Sequence, residues 1–130
     1  MKLTSKENTT PINSDHGEII YELIGSGIGD STDLHSVAYV VIPPGKSSLL
    51  HYHPVAEESY YFLKGKGRMI VENEETIVLP GQAILIQPTK HHKISSIGDT
   101  DLEFLAFCVP AWEPINTVFL ETFKHKNANQ

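Results

Sequence analysis

The sequence predicts an all-β fold in which antiparallel strands close into a barrel or sandwich. Short runs of Val, Ile, Tyr and Phe recur about every eight to twelve positions, between turn residues. No window shows the sustained i, i+3, i+4, i+7 apolar spacing that is typical of an amphipathic helix. The connections are mostly about two to four residues long, which is too short for the crossover helices that parallel strands need. Antiparallel pairing is therefore expected.

Turn residues separate the predicted strands along the chain. Glycine, proline and asparagine interrupt the apolar runs because they supply fixed or permissive φ angles. These breaks lie at Pro43-Pro44-Gly45, Gly65-Lys66-Gly67, Asn73-Glu74-Glu75, Pro80-Gly81 and Gly98-Asp99. The predicted strands are Glu18–Ile24, Ser36–Ile42, Ser48–His53, Glu57–Leu63, Arg68–Glu72, Thr76–Leu79, Ala83–Gln87, His91–Ser95, Leu102–Val109 and Thr117–Phe123.

The length of 130 residues corresponds to a single domain. The barrel core is expected at about residues 18–109, with a C-terminal extension at 110–123. Residues 1–14 are predicted to form a flexible N-terminal arm, and residues 124–130 a frayed polar tail.

Composition and charge argue against several classes of function. The net charge is −6 and no cluster of Lys and Arg is present, so the electrostatic driving force for nucleic-acid binding is missing. We therefore expect no nucleic-acid partner and no membrane partner. Cys108 is the only cysteine, which rules out an intramolecular disulfide. The polar start and the lack of a long apolar run predict no signal peptide and no membrane helix, so a cytoplasmic location is expected.

Two histidines lie close together in the predicted strand Ser48–His53. Side chains alternate between the faces of a strand, so His51 and His53 share one face and stand roughly 6.6 Å apart along the chain. Two imidazoles at that separation can converge on one metal ion. A His-x-His pair taken alone is more often a solvated or core pair, so the surrounding sequence has to decide between these interpretations.

That surrounding sequence contains a longer pattern. From Gly45 to Gly65 the chain reads G-x5-H-x-H-x4-E-x6-G, with His51, His53 and Glu58 at the fixed positions. The pattern resembles the first signature motif of the cupin superfamily and matches it at every fixed position. The resemblance implies a double-stranded β-helix, the jelly-roll barrel of that family, with the two histidines and the glutamate bound to a metal ion.

The second cupin motif is matched less completely. Gly81 and His92 fit the pattern G-x5-P-x-G-x2-H-x3-N, and His92 is thereby implied as the third histidine ligand. The remaining fixed positions depart from the pattern, with Gln87, Thr89 and Ser96 in place of Pro, Gly and Asn. These departures affect the expected loop geometry more than the ligand.

In each motif, a residue of the same type stands next to an implied ligand and is an alternative to it. Glu57 and Glu58 point to opposite faces of one strand, and so do His91 and His92. The interval to Gly65 selects Glu58. The interval from Gly81 selects His92 and leaves His91 to the other face or to a substrate channel. The stretch from His51 to Gly67, followed by Pro80-Gly81 and His92, looks like the small single-domain cupins grouped with mannose-6-phosphate isomerase-type proteins.

Three imidazoles and one carboxylate suit one divalent transition metal ion. The mixed nitrogen and oxygen set fits Mn, Fe, Ni, Co, Cu or Zn, and it does not fit Ca or Mg, which prefer oxygen ligands. Four protein ligands leave coordination positions open for water, a chelating substrate or O₂. Strand parity places Tyr60 and Phe62 on the face of Glu58, in a mostly apolar cavity. Tyr60 is the candidate catalytic residue, as a proton donor or ligand anchor, and a core tyrosine is the alternative.

Together with the resemblance, these observations predict that the chain is a metal-binding cupin that acts on a small organic substrate, as a dioxygenase or as an isomerase or lyase. The alternative is a non-catalytic cupin that binds or senses a small ligand around a structural metal. The partners expected are a small-molecule ligand or substrate and a second copy of the chain. The resemblance implies pairing through sheet edges, as is common in single-domain cupins, and the strand Glu18–Ile24 is apolar enough to be covered on both faces, so a homodimer is predicted.

Overall fold

The computed structural model of this chain describes residues 1–27 and 32–122. Its strands are β1 (Ile12–Asn13), β2 (Ile19–Ile24), β3 (Ser36–Ile42), β4 (His51–Tyr52), β5 (Glu57–Lys64), β6 (Gly67–Val71), β7 (Glu74–Val78), β8 (Ala83–Ile86), β9 (His92–Ser96), β10 (Leu102–Val109) and β11 (Val118–Phe119). A single turn of 3₁₀ helix, Pro114–Asn116, precedes β11. Within the described residues, no helix has the length and apolar character needed to cross a membrane.

The strands form two sheets. One has the order β1-β2-β3-β10-β5-β8 and the other the order β11-β4-β9-β6-β7. Every strand pair is antiparallel. The all-β, antiparallel prediction is confirmed, and the bounds predicted for β3 and β10 agree with the structure residue for residue. The strand predicted at Ser48–His53 is wrong in length, since regular pairing covers only His51–Tyr52. The amide of Leu50 there donates instead to the Glu121 carboxylate, at 2.7 Å.

Alternating side chains of both sheets fill the space between them. In β5, Glu58, Tyr60 and Phe62 are buried while Glu57 and Tyr61 are exposed. This is the period of two that a half-buried strand requires. The core contains the large apolar side chains Ile42, Phe62, Met69, Ile86, Ile94, Leu102 and Phe104. The polar residues of the candidate site occupy the same inward-facing rows, beside this apolar core.

The terminal segments pack against the sheets. In the predicted N-terminal arm, β1 pairs with β2, and the Lys6 ammonium lies 5.6 Å and 4.9 Å from the ring centroids of Tyr21 and Tyr39. The arm therefore covers part of the outer face of β2, where we expected a dimer contact. The flexibility of the arm and the homodimer stay predictions. The C-terminal extension carries β11, which pairs with β4, while its last residue and the predicted tail lie outside the described residues.

Gly65, the last glycine of the first motif, occupies a position where a side chain does not fit. Its φ is +84°, and a Cβ would collide with the carbonyl oxygen of Asp101. We expect Gly65→Ala to lower the free energy of unfolding by about 3 kcal/mol, since backbone strain and a steric clash add. Gly45 is the matched control, because its φ is +81° and nothing lies within 4 Å of its Cβ position. Gly45→Ala should cost about 1 kcal/mol, and equal losses in urea unfolding of the two variants would contradict the role of the clash.

Candidate metal centre

Three separate parts of the chain bring four side chains of metal-binding type together. His51 lies in β4, His53 follows that strand, and His92 begins β9 directly opposite His51. Glu58 comes from β5, in the other sheet. The cluster therefore bridges the two sheets from the inside.

The four side chains converge closely enough to share one ion. One donor atom from each of them, His51, His53, Glu58 and His92, lies within 4.8 Å of all the others. Oε1 of Glu58 is 3.3 Å from Nε2 of His53 and 3.2 Å from Nε2 of His92. The ring centroids of His51 and His92 are 4.2 Å apart. The residues selected by motif spacing thus meet at one point, and their binding of a metal stays a prediction.

Oxygen atoms anchor the other ring nitrogen of each histidine. Nδ1 of His51 is 2.6 Å from the Leu49 carbonyl oxygen, and Nδ1 of His92 is 2.9 Å from that of Lys90. A carbonyl can only accept, so both rings donate through Nδ1, which leaves Nε2 as the ring nitrogen that can face the cluster. Nδ1 of His53 is 3.2 Å from Oγ1 of Thr117, in the C-terminal extension. Such outer contacts orient histidine ligands in metal sites.

The inner atoms of the cluster have no hydrogen-bond partner among the described residues. Nε2 of His53, Nε2 of His92 and Oε1 of Glu58 are all buried, and although the two nitrogens lie 3.3 and 3.2 Å from the oxygen, they form no hydrogen bond of good geometry with it. Unpaired polar atoms in a protein interior cost roughly 1 to 3 kcal/mol each. A cation between them would satisfy all three, so this donor set fits the transition metal that the motif implies.

The ionisation of the cluster also suits a cation. Burial and the neighbouring His92 lower the pKa of His51 to about 4, so this ring is neutral near pH 7. Burial alone would raise the pKa of Glu58, but the adjacent rings of His53 and His92 outweigh it and lower that pKa to about 2. The site therefore presents a carboxylate together with a neutral imidazole, which are the protonation states that metal ligation requires.

The competing neighbours of these residues point away from the cluster. Glu57 is exposed. The His91 ring stacks on Tyr52 with centroids 4.9 Å apart, and the His91 amide donates to the Glu72 carboxylate at 2.5 Å. His91 thus lies on the outer face, and the selection of Glu58 and His92 agrees with the geometry.

A cavity of about 90 Å³ opens beside the cluster. One water molecule needs about 10 to 15 Å³ on this scale, so the cavity has room for a small ligand. Its apolar lining includes Val40, Leu49 and Phe104. Tyr60 also lines it, buried at 5% exposure, with its ring centroid 4.6 Å from that of Phe104 and 6.3 Å from that of His92. Burial and the charge of Glu58 raise the pKa of Tyr60 well above its usual value, so the phenol keeps its proton.

Sequence reasoning missed two polar residues that the structure places at this site. Thr117 reaches His53 from the C-terminal extension, and no local pattern connects the two residues. Glu22 lines the cavity from β2 and is only 6% exposed. The sequence marks Glu22 only as an acidic residue within an apolar strand, and because both faces of that strand are apolar, the sequence does not show that Glu22 points inward.

Cys108 is buried in the same wall, and burial raises its pKa to about 12, as expected for an inert thiol.

Comparison with known proteins assigns the fold family. Residues 38–108, more than half of the chain, match the cupin domain model. The chain belongs to the cupin family. An uncharacterised protein of Methanocaldococcus jannaschii is 36% identical over 118 residues, which cover 91% of this cupin and 94% of that protein. An oxalate-binding protein of Thermotoga maritima is 35% identical over 72 residues, which cover 55% of this cupin and 60% of that protein.

Solved structures share the fold. The Lactobacillus farciminis oxalate decarboxylase, in its formate complex, matches with a TM-score of 0.77 at 26% identity, over 88% of this cupin and 34% of that chain. The oxalate decarboxylase of Bacillus subtilis, which has Mn(II) centres, gives the same TM-score and identity over 88% of this cupin and 31% of its own chain. This cupin thus spans about a third of each decarboxylase.

A third structure matches over almost the full length of both chains. The Streptomyces nucleoside dehydratase Pac13 has a TM-score of 0.78 at 14% identity, over 95% of this cupin and 94% of that chain. At this identity the likeness concerns the fold alone. The predicted double-stranded β-helix is confirmed by these neighbours.

Proposed function

We propose that this cupin binds one divalent transition metal ion through His51, His53, Glu58 and His92, and that the ion holds a small organic acid in the cavity. The observation that carries the proposal is the convergence of buried donor atoms without hydrogen-bond partners beside a cavity. A barrel that bound no metal or ligand would be more stable with apolar residues at these positions. A site that retains such costly atoms is better explained by a ligand.

The charge of the loaded site favours an anionic ligand. Three neutral imidazoles and one carboxylate leave a divalent ion with a net charge of about +1. The apolar walls of the cavity strengthen its attraction for a carboxylate, because they exclude water. When bound, the ion would supply Lewis acidity that polarises a carbonyl or carboxylate oxygen of the ligand.

The protein's own side chains would orient that ligand. Tyr60 retains its proton, so its phenol serves as a hydrogen-bond donor to a ligand oxygen and not as a base. Phe104 and Val40 contribute apolar surface to the wall around the ligand. The hydrogen bonds at Nδ1 of His51 and His92 hold the rings in place, so the ligand meets a preformed site.

The relatives support a carboxylate of the oxalate class, which includes oxalate and short 2-oxo acids. One relative is an oxalate-binding protein, and the two structural neighbours at 26% identity are oxalate decarboxylases. Manganese is the first metal to test, because the B. subtilis enzyme has Mn(II) centres. Lyase activity on such an acid is the second candidate function, favoured by the likeness to the decarboxylases.

Elemental analysis and calorimetry test the proposal. The protein is purified without a nickel column, its metals are measured, and the Mn(II)-loaded form is titrated with oxalate and with pyruvate. We expect about one ion per chain, and ligand binding that disappears when a chelator removes the ion. A chain that retains none of Mn, Fe, Ni, Co, Cu or Zn would contradict the proposal, as would a loaded chain that binds neither acid. Formate release from oxalate separates a lyase from a binding protein.

A further inference from the structure

Glu22 is a buried carboxyl group on the cavity wall away from the metal cluster. It is the one buried residue of β2, at 6% exposure. Its Oε1 has no hydrogen-bond partner among the described residues. The same cavity contains Glu58 and the two histidines of the first motif. A buried carboxyl with an unpaired oxygen in this position needs a physical reason, because apolar residues in its place would be more stable.

The local backbone is arranged around this side chain. The pairing of β2 with β3 shifts register between Glu22 and Ile24, which is a β-bulge. Bulges redirect side chains and are common beside binding sites. Three residues after Glu22, Gly25 leaves space for the carboxylate, since a Cβ there would collide with Oε1 of Glu22. The bulge thus accompanies the placement of Glu22 on the cavity wall, and the glycine leaves room for its carboxyl group.

Small side chains separate Glu22 from the residues around the cluster. Glu22 pairs with Ala38, Ala38 with Ala106, and Ala106 with Tyr60, in one row across the sheet. This row spans three strand spacings, which is roughly 14 Å between the backbones of β2 and β5. The two alanines form the floor of the cavity between its polar ends. A ligand can therefore lie across them, with one end at the cluster and the other at Glu22.

A second glutamate of the cavity wall is already paired. Oε1 of Glu18 lies 3.3 Å from Nε2 of His16. Cys108, near Glu22 on the wall, keeps its proton because burial raises its pKa to about 12. Of these two glutamates, Glu22 is thus the one with a buried oxygen that has no partner among the described residues.

We propose that Glu22 recognises the far end of the ligand, which carries an uncharged hydrogen-bonding group such as a hydroxyl beyond its metal-chelating carboxylate. This inference rests on the proposed function and narrows its ligand class. The ligand is then longer than oxalate, because it has to cross Ala38 and Ala106 to reach Glu22. Burial raises the pKa of Glu22 to about 7, and a neutral carboxyl group both donates to and accepts from a hydroxyl.

Two pairs of 2-oxo acids test the role of Glu22. In each pair a terminal hydroxyl replaces a methyl group of similar size. The short pair is hydroxypyruvate and 2-oxobutanoate, and the longer pair is 4-hydroxy-2-oxobutanoate and 2-oxopentanoate. Calorimetry measures their affinity for the Mn(II)-loaded wild type, Glu22→Gln and Glu22→Leu, with oxalate as the probe that only chelates. Metal content is measured for every sample, and Glu74→Gln, at an exposed position of β7, is the control.

We expect the wild type to bind the hydroxylated acid of at least one pair about tenfold more tightly than its methyl partner. Glu22→Leu should lose this preference, Glu22→Gln should keep part of it, and oxalate affinity and metal content should stay unchanged in both. Equal affinity within both pairs for the wild type, or a preference that survives in Glu22→Leu, overturns the role of Glu22 and leaves the metal-dependent function standing. Loss of metal, or of all acid binding, in the wild type removes both proposals.

Discussion

Replacing His92 by alanine should reduce the metal content from about one ion per chain to less than about a tenth after dialysis. The change removes one imidazole from a set of four ligands and leaves Oε1 of Glu58, 3.2 Å from Nε2 of His92 in the wild type, without that neighbour. Elemental analysis measures the loss. Thermal unfolding gives a second readout, because an ion at about 1,000 times its dissociation constant stabilises a folded protein by about 4 kcal/mol. That stabilisation should be absent from His92→Ala.

His91→Ala is the matched control for this experiment. It removes the same side chain from the adjacent position, where the ring stacks on Tyr52 outside the cluster. Its metal content and its stabilisation by metal should equal those of the wild type. If His91→Ala lost the ion while His92→Ala retained it, the assignment of ligands from the second motif would be wrong. Glu58→Gln and Glu57→Gln form a second pair with the same logic, since Glu58 is buried and Glu57 is exposed.

Motif spacing predicted the four clustered residues because strand parity and short turns leave few alternatives. Side chains alternate between the two faces of β5, so Glu58 and Tyr60 must lie on the same face, and fixing the direction of one fixes the other. The fixed interval to Gly65 has a structural cause, since only glycine fits against the Asp101 carbonyl there. Despite the departures of the second motif, His92 remains in the cluster. Thr89 takes the left-handed conformation at φ +72° in place of glycine, and His92 still faces inward.

Contacts between distant segments could not be predicted in this way. The strand Ser48–His53 is shortened because Leu50 bonds a glutamate side chain of the C-terminal extension. Thr117, just before β11, and Glu22, in β2, reach the site from segments whose packing no local pattern determines. Glu22 illustrates the physical reason, since alternation fixes which residues share a face and not which face meets the core. A charged residue on an apolar face then marks either an outer edge or a site, and only the fold distinguishes them.

The stability of the protein should depend on pH through Glu22. Burial raises the pKa of this carboxyl from 4.5 to about 7 in the folded state. The folded chain therefore holds the proton more tightly than the unfolded chain does. The contribution to stability is complete below pH 4.5 and is lost as the pH rises through about 7. From the size of this shift, the loss amounts to about 3 kcal/mol.

Glu22→Gln isolates this contribution, because its amide stays uncharged across the whole range. Urea unfolding of the metal-free wild type and variant, from about pH 5 to about pH 8, should give curves that converge at the acid end. The variant should become the more stable protein by up to about 3 kcal/mol at the alkaline end. The nearby Cys108 thiol does not titrate in this range, since its pKa is about 12. The histidines are the same in both proteins, so their contributions cancel when the two free energies of unfolding are subtracted.

Glu74→Gln, at an exposed position, should follow the wild type. Parallel curves for the wild type and Glu22→Gln would mean that the carboxyl group is solvated or paired in solution, and its assignment to the far end of the ligand would then lose its structural basis.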